Sequence, residues 1–165
     1  MQIEAEELNG RYVKLAAFID SGKMDEVVND IYNKCLLEMQ CCTMFDYIRL
    51  LDTRIQRMQG SDGAKVIKMN FGMAIMALKA GYPIRRSGWD GKGLMVFKQV
   101  PAHIESDIIP KMQSLPQSAK DLILKGKGFI DYTSQCLIYN ENTGRADSWV
   151  PSISDVFADD WEIVD

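Results

Sequence analysis

The chain has 165 residues, of which 47% are hydrophobic and 25% charged, and carries a formal net charge of −4. Such values exclude a disordered or fibrous chain, and the acidic balance argues against a duplex-DNA binder, which needs a surplus of Lys and Arg to neutralise phosphates. The acidic start Met1-Gln2-Ile3-Glu4 lacks the layout of a secretory signal, and no apolar run approaches the length of a spanning helix, so a cytoplasmic protein that does not bind membranes is expected.

From Ile3 to Ile19 the apolar positions Leu8, Tyr12, Leu15, Phe18 and Ile19 recur at helical spacing, and Asp20-Ser21-Gly22 breaks the run. A second periodic stretch passes through Val28, Ile31, Cys35, Met39, Cys42, Phe45, Ile48, Leu51, Ile55 and Met58 and predicts one long helix. Two helices joined by a short glycine-containing turn make an antiparallel hairpin. Each stripe is broader than one partner helix can cover, so the hairpin is expected to pack on further protein. Residues 59–68 contain Gln59-Gly60-Ser61-Asp62-Gly63, a turn composition that marks a linker between a hairpin over 1–58 and a second domain over 69–165.

In that second domain Phe71 to Ala80 reads as a short helix stopped at Gly81, with Pro83 beyond it. Leu94 to Val100, Gly128 to Tyr132, and Gln135 to Tyr139 read as strands. The turn Asn140-Glu141-Asn142-Thr143-Gly144-Arg145 predicts a hairpin into Ala146 to Val150. Between these lie a loop containing Pro110 and Pro116 and a short helix over Ser118 to Lys125. Trp161 alternates with Ile163 in a terminal strand and is assigned to the core. The expected class is α+β, an antiparallel helical hairpin followed by a small domain of one helix packed on a twisted antiparallel β-sheet.

The cysteines Cys35, Cys41, Cys42 and Cys136 form no CxxC pair or metal-ligand spacing, so reduced thiols and no metal site are expected. His103 is the single histidine and has no nucleophile or carboxylate at motif spacing, which argues for a surface position and against a catalytic base. HExxH, GxSxG and EF-hand patterns are absent, and no enzyme activity or cofactor is expected.

Two clusters are harder to explain by folding alone. In Arg85-Arg86-Ser87-Gly88-Trp89-Asp90-Gly91-Lys92-Gly93, three glycines surround an indole and several charges. Glycines admit positive φ and can turn backbone N–H groups toward an anion, Trp89 offers a stacking surface, and Arg86 or Lys92 supplies charge. The same residues also suit a glycine-rich turn with its tryptophan folded onto the core. In the second cluster, Trp149 beside Pro151, Ser152 and Asp155 suits an aromatic wall with polar groups at its rim, while Asp155 suits equally a helix cap. Asp159 and Asp160 read as solvated or capping carboxylates. Between Lys79 and Gly128 nine basic residues face four acidic ones, a local surplus suited to an anionic ligand.

Met69-Asn70-Phe71-Gly72, Ala77-Leu78-Lys79-Ala80-Gly81, the run Arg85 to Gly93, and the ending Trp149 to Ile163 together resemble the phage Thoeris anti-defence protein two family, over residues 69–165. The resemblance implies an oligomeric sponge that sequesters cyclic nucleotide immune signals without cleaving them, notably glycocyclic ADP-ribose of Thoeris and, for some members, cyclic dinucleotides of CBASS. It implies that Trp89 and Trp149 stack on bases, with Asn70, Phe71, Arg86, Asp90, Lys92, Ser152 and Asp155 as neighbours. Residues 103–127 are longer than in compact members, which implies a different lid and selectivity.

The first half, through Arg11-Tyr12-Val13-Lys14-Leu15, Phe18 to Lys23, Leu37-Glu38-Met39 and Tyr47 to Ile55, is similar to small helical-hairpin proteins of crAss-like phages and to anti-CBASS sponges. That similarity implies a fusion of two sponge modules, the hairpin holding its own cyclic oligonucleotide between subunits; the alternative is a helix pair that only assembles the homo-oligomer. The implied setting is the cytoplasm of the infected host. The rival functions are a phosphodiesterase or hydrolase that degrades the signal, and a structural phage protein.

Overall fold

The computed structural model describes residues 1–89 and 92–164. It is an α+β chain in two compact units, Met1–Ala74 with Ala158–Ile163, and Ile75–Phe157 with Val164–Asp165.

In the first unit, α1 (Gln2–Asp20) and α3 (Ile31–Met58) form the expected antiparallel pair, with Tyr12 against Phe45 at a ring-centroid distance of 5.5 Å and the Tyr47 hydroxyl bonded to Glu4. The second helix does not begin at Val28 as its stripe suggests. A five-residue helix α2 (Lys23–Val27) follows Gly22, whose φ of 75° reverses the chain, and Val28 is extended. Asp30 then caps α3, its carboxylate accepting the N–H groups of Tyr32 at 3.1 Å and Asn33 at 3.2 Å. A capping carboxylate satisfies N–H groups that a helix start leaves unpaired, and this local gain overrides the apolar period.

Of the side chains in α1 and α3, only Ala5, Ile48 and Leu51 are buried among the described residues. Ile3, Val13, Ile31, Tyr32, Leu36, Met39, Phe45 and Met58 stay exposed. The remaining core of this unit lies around β7 (Trp161–Ile163) and the start of α4 (Phe71–Lys79). Met69 and Trp161 exchange two backbone hydrogen bonds of 2.8 and 3.1 Å, Phe71 lies against the Trp161 ring at 5.8 Å, and Trp161 is 0% exposed. The indole is core, as its alternation with Ile163 predicts.

In the second unit, β1 (Ile84–Arg86), β2 (Leu94–Gln99), β5 (Gln135–Asn140) and β6 (Arg145–Ser148) pair antiparallel in the order β6-β5-β2-β1. Ile84 opposes Val96 across β1 and β2, and both are fully buried. The β5–β6 hairpin turns on Asn140, whose side chain accepts from the N–H groups of Asn142 and Thr143, and on Gly144 at φ 70°. The helix α5 (Gln117–Lys125) starts after Pro116 and ends at Gly126.

The strands read at residues 128–132 and 135–139 do not share one sheet. β4 (Ile130–Tyr132) pairs instead with β3 (Ala102–Ile104) in a separate ribbon, with His103 opposite Asp131. Period-2 patterning identifies strands but carries no information on which partner each one takes. The short helix α6 (Ile153–Val156) completes the unit. The four cysteines are free thiols. Among the described residues no helix is long and apolar enough to cross a membrane.

Candidate functional site

Most of the sequence-predicted site residues fall in the second unit. β1 ends at Arg86, and Ser87–Trp89 form a single 3-10 turn, so the glycine-rich run is a strand end followed by a tight turn. The Trp89 carbonyl accepts the Lys92 N–H at 3.0 Å, and the Trp89 side chain is half-buried while Lys92 is exposed. Gly93 has φ 61°, and a Cβ there would lie 2.8 Å from the Asn142 side-chain nitrogen. The turn therefore requires glycine at this position for both conformation and space. Asp90, the remaining member of this cluster, lies outside the described residues.

Trp149 follows β6. Its N–H donates to the Cys136 carbonyl at 2.8 Å, which prolongs the hairpin by one step and fixes where the indole emerges, again half-buried. Of the three tryptophans, only Trp161 is fully enclosed.

Ser152 and Asp155 form a reciprocal capping box on α6. Asp155 Oδ2 accepts from the Ser152 N–H at 2.9 Å and its hydroxyl at 2.7 Å, while the Ser152 oxygen accepts the Asp155 N–H at 3.2 Å. The other carboxylate oxygen, Oδ1, receives Arg86 Nη1 at 3.1 Å. Asp155 is 7% exposed, so the charge survives there only because it is paired and hydrogen-bonded. Burial pushes its carboxyl up, but the bonds from Ser152 and the neighbouring guanidinium together outweigh burial and hold it below its ordinary value. Arg86, distant in sequence, thus joins the neighbouring Ser152 and Asp155 in one connected polar group.

Asn70 and Phe71 belong to the first unit. The Asn70 side chain accepts the Met73 N–H at 2.9 Å, capping the start of α4, and donates to Asp46 at 2.7 Å; Phe71 packs on Trp161. Both have evident roles in folding.

Sequence patterning missed a second polar cluster, because strand pairing is what brings Asp131 to His103. His103 Nδ1 lies 2.6 Å from Asp131 Oδ1 and its Nε2 lies 3.3 Å from Glu105, on an exposed ribbon. The Asp131 hydrogen bond raises the imidazole pKa; desolvation opposes it, and the charges of Asp131 and Glu105 with the Glu105 hydrogen bond add to the rise. Both ring nitrogens are therefore engaged by carboxylates. That arrangement stabilises an imidazolium and leaves no ring nitrogen to accept a proton from a nucleophile.

Comparison with known proteins covers nearly the whole chain in two pieces. A family model described as Sequestin matches residues 1–57, and one described as Tad2-like, the Thoeris anti-defense 2-like domain, matches residues 69–164. A relative from Bacillus phage SP01, named Thoeris anti-defense 2, is 32% identical over 102 residues, which is 59% of this chain and 96% of the relative. The segment matched by the family model includes the glycine-rich turn, Trp149 and the capping box, and on this breadth of match the chain belongs to the Thoeris anti-defense 2-like domain family, a family of anti-defence proteins.

Proposed function

We propose that this protein is a phage anti-defence sponge acting in the cytoplasm of the infected host. It binds cyclic nucleotide immune signals, glycocyclic ADP-ribose of Thoeris and cyclic oligonucleotides of CBASS, and holds them without cleavage. The observation that carries this reading is the contrast among the tryptophans: one is sealed in a core, while Trp89 and Trp149 are only half-buried, in the unit whose sequence has more basic than acidic residues. Indoles of that kind stack on bases irrespective of sequence, and the charged residues around them suit phosphate. Family membership and the Sequestin match over the hairpin both support sequestration.

A sponge acts through affinity. Holding a signal that is active near nanomolar levels requires about −12 kcal/mol of binding. Two stacked bases contribute about 2–6 kcal/mol, so phosphate contacts and a preformed pocket provide the remainder. Self-assembly belongs to the same proposal, since the wide apolar face of α1 and α3 is open in the single chain.

The test is calorimetry with each signal on the intact protein, followed by heat denaturation and mass spectrometry of what is released. The expected result is tight binding, recovery of unaltered ligand, and a loss of about 10- to 100-fold in affinity for Trp89→Ala and for Trp149→Ala. Recovery of hydrolysed products would assign a degrading enzyme instead. Absence of any ligand-induced rise in melting temperature would leave a structural protein.

A further inference from the structure

Within the first unit, the segments matched by the two family models form a cleft together. Phe45, Asp46 and Arg49 of α3 line it from the Sequestin-like side, Asn70 and Asp159 from the other, and Lys68 from the stretch between the two matched segments, around a volume of about 530 Å³. That volume lies within the range of small-molecule sites. Neither matched segment contains all of its lining, so the cleft is a property of their fusion.

The cleft is internally braced. Asp46 accepts the Asn70 amide at 2.7 Å through Oδ2, and its Oδ1 lies 3.8 Å from Arg49. The Arg49 guanidinium sits over the Phe45 ring, 5.5 Å from its centroid. Asn70 is held in turn by the start of α4. One carboxylate thus positions a cation and, through it, an aromatic ring that is still 45% exposed.

Lys68 differs from its neighbours in two ways. It is the single non-glycine residue with positive φ among the described residues, at 55°, and it makes no ion pair among them. A left-handed lysine costs about 1 kcal/mol or more in backbone strain, which surrounding structure must offset. Here the strained position falls on the wall of a cleft. Asp159, exposed, contributes an acceptor on the same wall.

A half-exposed ring carrying a charge-compensated arginine, an uncompensated lysine and a carboxylate acceptor define the complement of a flat heteroaromatic ligand with one anionic group and hydroxyl or amino donors. We propose that this cleft is a second ligand site, separate from the Trp89 and Trp149 residues, that takes a nucleoside monophosphate. The base packs against the exposed part of the Phe45 ring and the Arg49 guanidinium plane, the phosphate meets Lys68, and Asp159 accepts from the sugar or an exocyclic amine. The assignment does not depend on the sponge reading.

The experiment is isothermal titration of the full chain with adenosine 5′-monophosphate, adenosine and inorganic phosphate, repeated on three variants. Lys68→Asn removes the charge but keeps a residue that tolerates left-handed backbone, so its fold is retained; Phe45→Ala removes the ring. The expected result is one monophosphate per chain, bound more tightly than adenosine or phosphate alone, weakened about tenfold or more by each of these two variants and unchanged by Trp89→Ala. Because Tyr12 packs on Phe45, the Lys68→Asn result decides if Phe45→Ala proves unfolded. The proposal is overturned by absence of monophosphate binding to the unmodified protein, by phosphate binding as tightly as the nucleotide, by binding unaffected in Lys68→Asn, or by binding lost in Trp89→Ala.

Discussion

Arg86 and Asp155 lie 69 positions apart in sequence and are joined by a 3.1 Å hydrogen-bonded ion pair with both side chains largely withdrawn from solvent. The pair ties the end of β1 to the capping box of α6. In a sponge it would hold the glycine-rich turn and the Trp149 segment in a fixed relation before any ligand arrives, which lowers the ordering cost of binding. Removing one partner leaves the other charge poorly satisfied, so Arg86→Ala is expected to destabilise the fold by about 1.5–3 kcal/mol. Denaturant unfolding of the two single variants and the double variant would measure the coupling; additive losses would show that the pair does not act as a unit.

The same carboxylate sets an acid limit on stability. Its folded pKa is depressed below the ordinary 3.8, so the unfolded chain takes up the proton first as pH falls. The stabilisation is complete above about pH 4 and is lost as pH drops toward the folded value. Asp155→Asn should therefore flatten the fall in melting temperature below pH 4. An unchanged acid slope in that variant would assign acid unfolding to other carboxylates.

His103, the single histidine, makes an unambiguous probe. The proximity of Asp131 and Glu105 predicts an imidazole titration midpoint above the ordinary 6.5, and Asp131→Asn should bring it back toward that value. Because the folded pKa is raised, the pair's stabilising contribution is complete below 6.5 and fades as pH rises through the folded midpoint. A one-dimensional proton NMR titration reads this directly, and a midpoint at or below 6.5 would exclude the pairing in solution.

Gly93→Ala should destabilise the glycine-rich turn by about 1–2 kcal/mol, since alanine resists the left-handed conformation required there. The Asn142 side chain can move, so adding Asn142→Ala should recover little of the loss. Urea midpoints for the three proteins distinguish strain from crowding: near-complete recovery in the double variant would mean that the clash, not φ, is what demands glycine.

The exposed face of the hairpin predicts association. Leu36→Glu and Met39→Glu place charges on α3 where both apolar side chains are now open, and should lower the mass found by light scattering if that face assembles the protein. An oligomer that persists in the double variant would place assembly elsewhere.

Much of this architecture was legible in the chain itself. Helical periods of three and four located α1 and most of α3, and the prolines and glycines around Gly81, Pro116 and Gly144 bounded the elements of the second half. Trp161 announced itself as core by alternation in a terminal strand. These signals are local, because a helix face or a turn is written within a few consecutive residues. The start of α3 was not read: Asp30 caps it against an apolar stripe that continues on both sides, and a period alone does not weigh the two.

Tertiary structure alone decided the pairings. Nothing in the local sequence of Arg86 names Asp155, nor does His103 point to Asp131, or Asp46 to Asn70. Each pair forms because strands and helices written locally are brought into register by burial of side chains such as Ile84, Val96 and Trp161. Hydrophobic burial is non-directional and fixes which elements meet; the polar partners are then whichever groups that packing leaves face to face, and their distances and charge states exist only in the folded chain.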